Sequence, residues 1–176
     1  MNIPPFSLLV ISLCGYAFGA VGALIFMRRE KLANFFSFGM ASLSALSGLL
    51  AALTFLSAGP GWTVTKSELL PSFIPYIQFT VRLDPLGAFF VLLVSLLGLA
   101  ISIYSLGYAR GFYGRKNVGV LGAFFNLLLL ATTLVFVAGN AFFFLIAWEI
   151  MALTAYCLVS FEHEKVETRN AGVLFF

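Results

Sequence analysis

A chain of 176 residues that is 61% hydrophobic and 10% charged, with a mean hydropathy of +1.04, cannot cover itself against water. Soluble globular domains carry about 25% charged residues for that purpose. The formal charge of +3 is small, and no cluster or stripe of Lys and Arg rises above loop background, so nucleic-acid binding has no support.

A helix that crosses a bilayer takes about 20 predominantly apolar residues. Five segments qualify: Phe6–Met27, Phe35–Leu56, Pro85–Tyr108, Val118–Val137 and Ala141–Phe161. The expected fold is all-α, a polytopic transmembrane helical bundle of five full spans plus the start of a sixth. The first segment has no Lys or Arg ahead of it and its charges follow it, so it reads as a retained helix rather than a signal peptide. The long connection Ser57–Leu83 carries Pro60, Gly61, Pro71 and Pro75. Its last part, Tyr76–Arg82, is aromatic and β-branched and suits a short strand or hairpin on the membrane surface. Trp62 and Tyr76 suit the interfacial belt. Asp84 followed by Pro85 reads as a cap and first helical position, a structural role for that carboxylate. After the polar loop Glu162–Arg169 the sequence turns apolar at Asn170–Phe176, which reaches only about 10 Å as helix. It reads as the opening of a sixth span, in a chain that is a fragment or that a partner completes. No soluble domain and no short-period repeat is legible, so residues 1–176 form a single membrane domain.

Basic residues set the expected orientation. Arg28, Arg29 and Lys31 follow the first span, Arg110, Arg115 and Lys116 the third, and Lys165 and Arg169 the fifth, against Lys66 and Arg82 on the other side. That alternation puts the N-terminus outside and the three basic loops in the cytoplasm. Cys14 and Cys157 fall in apolar runs without CxxC spacing, which fits reduced thiols acting as small hydrophobes. The single histidine, His163, lies in a charged loop, so this chain alone cannot hold a bis-histidine haem.

Six of the seven acidic residues lie in loops or at helix ends: Glu30, Glu68, Asp84, Glu162, Glu164 and Glu167. Glu149 alone lies inside a span, about 12 Å from the outer end of its helix at 1.5 Å per residue. A charged residue near the bilayer centre costs about 2.5–3.5 kcal/mol on insertion scales, so it marks a functional site by default. A carboxyl there, set against a movable positive partner, can load and release a proton. The plainer alternative is a protonated glutamate that fixes helix packing by a hydrogen bond. Ala152, Leu153 and Tyr156 share its face. The fourth span brings Asn126, Thr132 and Thr133, for each of which ordinary interhelical hydrogen bonding is the simpler role. The spans hold no interior Lys, Arg or His, so the partner of Glu149 is expected from residues beyond Phe176 or from another subunit.

The stretch Asn140–Phe161, with Trp148 and Glu149 at its centre, resembles the fifth helix of the antiporter-like, proton-translocating membrane subunits. That superfamily takes in the L, M and N chains of respiratory complex I, the Mrp cation/proton antiporters and the membrane arms of energy-converting hydrogenases. Arg82-Leu-Asp-Pro-Leu86 and Tyr104-Ser-Leu-Gly-Tyr108 support the resemblance, which spans about Val81–Phe176. The wording WEIMALTAYCLVSFEHE is nearest the large membrane subunit of hydrogenase-4 and formate hydrogenlyase complexes. The resemblance implies that Glu149 matches the fifth-helix glutamate, which pairs with a lysine on the seventh helix and drives proton transfer. It also implies a longer subunit of about fourteen helices, of which this chain is the N-terminal portion. The expected function is translocation of protons or cations by a membrane subunit of a respiratory or hydrogenase-type redox complex. Such a subunit carries no redox cofactor or metal of its own and has the other membrane subunits and the lipid of the cell inner membrane as partners. The alternatives are a structural or assembly subunit without transport, and, more weakly, a solute transporter. The latter expects Gly/Pro-interrupted spans, and these five have no interior proline.

Overall fold

The computed structural model describes residues 4–58, 65–70 and 79–162. In chain order these form α1 (Pro5–Ile25), α2 (Glu30–Ser57), β1 (Thr65–Leu70), β2 (Phe79–Leu83), α3 (Pro85–Tyr108), α4 (Val118–Val137) and α5 (Ala141–Val159), with 3-10 turns at Ala109–Phe112 and Ser160–Glu162. All five helices are long and apolar enough to cross a membrane, and the chain is a multi-pass membrane protein. The expectations at His163, Lys165, Arg169 and 170–176, and at Pro60, Gly61, Trp62, Pro71, Pro75 and Tyr76, lie outside the described residues.

Local chemistry explains the helix ends. Pro5 takes the first position of α1, where its missing N–H costs nothing. α2 begins at Glu30 rather than at the apolar onset, Phe35. Polar residues suit a first turn, Glu30 stands at the positive end of the helix dipole, and Ala33 and Asn34 already turn inward to be buried. Asp84 Oδ1 accepts the Gly87 amide at 2.7 Å, so the expected cap on α3 is present, and Arg82 lies 3.3 Å from the other carboxylate oxygen. Asn117 caps α4 through the Val120 amide. α5 gives way after Val159 to the turn at Ser160–Glu162, two residues short of its expected end at Phe161.

α2 lies along both α1 and α3, α4 returns to pack on all three, and α5 is carried by α4. The buried face of α2 is made chiefly of small residues: Ala33, Ser37, Ala41, Ser44, Ala45, Gly48, Ala51 and Ala52. Small side chains let helix backbones approach, which is how helices associate where lipid removes the hydrophobic drive between them. One apolar core gathers Leu9, Phe55, Leu83, Val91, Val137 and Phe143 at the hairpin end. A second gathers Tyr16, Phe38, Val118 and Phe125 toward the other end. The strands pair antiparallel with Thr65 opposite Leu83 and Lys66 opposite Arg82, so the expected hairpin is present. Val81 also bridges to Ala138 and the Gly139 amide donates to the Thr80 carbonyl at 2.7 Å, which ties the hairpin to the α4–α5 link.

Candidate functional site: Glu149 on the open face of α5

Asn140 sets where α5 begins. Its Oδ1 accepts the Phe143 amide at 2.8 Å, while its Nδ2 donates to Thr80 Oγ1 at 2.8 Å. One side chain therefore caps the helix and fastens it to the hairpin. From there α5 turns Phe143, Ala147 and Thr154 inward. Phe143 meets the ring of Phe79 edge-on at 5.5 Å, which seats the first turn in the hairpin-end core.

The opposite face is left uncovered by the described residues. Only 17% of the α5 span is buried, against 33–44% for the other four, which makes α5 the edge helix of the described bundle. Leu145, Trp148 and Leu153 stand exposed on it, and Glu149 is exposed among them. Glu149 makes no hydrogen bond or ion pair among the described residues. Trp148 turns to one side, meeting Phe144 edge-on at 5.4 Å. With Phe90, Phe136 and Met151 it lines a cavity of about 480 Å³ at the α3–α4–α5 junction. The arrangement presents a carboxylate about 12 Å along a spanning helix, on a surface free to receive another helix. Left against lipid, that charge carries the insertion cost.

Ala152 and Tyr156 are half-buried beside Glu149 and Leu153 is exposed. The polar residues of α4 point elsewhere. Asn126 is fully buried and donates to the Ser37 carbonyl of α2 at 3.0 Å and to Gly122 at 2.9 Å. Thr132 and Thr133 donate to the carbonyls of Leu128 and Leu129, one turn back in their own helix. Asn126 is thus an interhelical link, the threonines bond within their helix, and none of the three meets Glu149. Sequence reasoning missed the serines that tie α1, α2 and α3: Ser12 donates to the Ser44 carbonyl at 2.7 Å, Ser47 to Leu8 at 2.8 Å, and Gly48 lies against Ser12 and Ser95. The recurrence of Ser, Ala and Gly along α2 is the signal that points to them.

Residues 75–112 match the family model for the N-terminus of chain 5 of NADH-ubiquinone oxidoreductase, complex I. Over 172 residues the chain is 34% identical to hydrogenase-4 component B of Escherichia coli K12, which covers 96% of this chain and 24% of that protein. The chain is homologous to the antiporter-like membrane subunits. Formate hydrogenlyase subunit 3 of the same organism is 29% identical over 141 residues, 79% of this chain and 22% of that one. NADH-quinone oxidoreductase subunit L of Mycobacterium tuberculosis is 33% identical over 96 residues, 54% of this chain and 15% of its own length. The chain spans about a quarter or less of these curated homologues.

Proposed function

We propose that this chain is part of a proton- or cation-translocating membrane subunit of a hydrogenase- or respiratory-type redox complex, and that Glu149 is its ion-carrying carboxylate. The observation that carries this reading is the exposure of Glu149 on the face of α5 that the described residues leave open, inside a span and without an ion pair among the described residues. A carboxylate held against the closed four-helix part would be a packing residue. One that faces outward at that depth asks for a further helix with a complementary group. A cationic side chain there would favour the ionised form when near and release it when withdrawn, so that moving charge in the partner moves the proton. Electron transfer would take place in other subunits, with this chain contributing the ion path in the cell inner membrane.

Glu149→Gln keeps the side chain's size and hydrogen-bonding capacity and removes the titrating group. In inverted membrane vesicles from cells with the whole complex, this variant should assemble at normal levels and lose proton uptake, read from a pH-sensitive dye. Full proton uptake by the variant would refute the role. Loss of assembly together with activity would favour the structural alternative.

A further inference from the structure

At the end of the bundle remote from the hairpin, the α1–α2 link and the α3–α4 link line an open cleft. We propose that this cleft holds the phosphate of an anionic phospholipid. It offers about 620 Å³ and is lined by Arg28, Arg29, Lys31, Arg115 and Lys116, with Glu30 the only acid in its lining among the described residues. Glu30 is already engaged: both its carboxylate oxygens accept the Gly114 amide, at 2.9 and 3.0 Å. That contact fastens the α3–α4 link to the start of α2, and Gly114 meets it with φ +72°, a conformation glycine adopts without strain. Lys116 is turned toward Phe161, donating to its carbonyl at 3.1 Å and lying 5.5 Å from its ring centroid. Among the described residues, Arg28, Arg29, Lys31 and Arg115 have no acidic partner. Among the described residues the cleft is therefore an open concavity with an excess of positive charge.

Its surroundings select a lipid over a soluble anion. Met27 and Leu32 form part of the cleft wall, and Phe35, one turn farther along α2, is 73% exposed. Cations and apolar surface follow one another down α2 in the order of a headgroup and its acyl chains. Basic pockets between membrane helices capture anionic headgroups in this way. A second cavity of about 340 Å³ adjoins through Lys31 and Tyr113, and Arg110 and Asn34 contribute to it. Asn34 is 3% exposed and donates to the Leu106 carbonyl and the Tyr113 hydroxyl, while its Oδ1 has no partner among the described residues.

The test is native mass spectrometry of the purified chain in detergent, with phosphatidylglycerol and phosphatidylcholine supplied together. Phosphatidylglycerol should be retained in preference, and Arg28→Gln with Arg115→Gln should weaken retention about fivefold for each charge removed. The charge-conserving pair Arg28→Lys and Arg115→Lys should retain it, as should Arg82→Gln, which removes a cation at the hairpin end. Should the double glutamine variant fail to fold, Arg29→Gln and Lys31→Gln singly carry the same expectation. Equal retention of both lipids, or indifference to the basic substitutions, would overturn the site. Displacement of the lipid by excess inorganic phosphate would show a plain anion site and refute the lipid assignment.

Discussion

Gly119 sets how closely α4 approaches α1. A Cβ there would lie 2.5 Å from the Ala23 carbonyl oxygen and 2.8 Å from the Met27 Cα, backbone atoms that cannot rotate aside. Gly22, on the facing helix, would instead press a Cβ against the ring of Phe36, the far end of a side chain that can turn. Gly119→Ala should therefore lower stability in detergent by about 1–3 kcal/mol, the usual cost of overpacking. Gly22→Ala should cost clearly less, and denaturant unfolding of the two variants measures the difference. A larger loss at Gly22 would contradict the assignment of the tight contact. At this scale the residues alone reveal Asp84 as a cap and Glu149 as the one acid inside a span. They do not separate Gly119 from Gly22, because close approach depends on which atoms of another helix arrive opposite.

α5 shows what the element scale adds. Its start is carried by a single side chain, since Asn140 both caps the helix and holds Thr80. Asn140→Ala should free the Phe143 amide, at a cost of about 1 kcal/mol for the cap and about 1 kcal/mol for the second hydrogen bond. Asn140→Asp keeps an acceptor for the cap and loses the donor to Thr80, so it should fall between the two. Hydrogen exchange at the first turn of α5 reads the outcome: equal exchange in all three proteins would show that the hairpin contacts hold the helix without Asn140. The start of α3 was legible from sequence because an Asp-Pro start coincides with a real cap, and the bounds of α4 because they coincide with those of an apolar run. The start of α2 was not, because apolar content marks where the bilayer begins and a helix continues into water for as long as its first turn is satisfied.

For the whole molecule, we propose from the bias of basic residues toward one side that the N-terminus is external and the cleft of Arg28 and Arg115 faces the cytoplasm. After replacement of Cys14 and Cys157, a membrane-impermeant maleimide applied to intact cells should label Ser57→Cys and leave Gly111→Cys unlabelled; both positions are exposed at helix ends or links. The opposite pattern would invert the molecule. The depth of Glu149 would stand either way, because it depends on position along α5 and not on direction.

The number of spans, the hairpin, the cap at Asp84 and the singular position of Glu149 were legible in the order of residues: lipid demands long apolar runs and penalises a charge within them, and turn and capping residues mark where such runs begin. Which face each helix turns inward does not. Lipid tails and a helix interior are equally apolar, so hydrophobicity cannot tell the side of α5 that meets α4 from the side that meets its surroundings. Packing made that choice: Phe143, Ala147 and Thr154 went inward, Asn126 went to α2, and Glu149 was left on the open face.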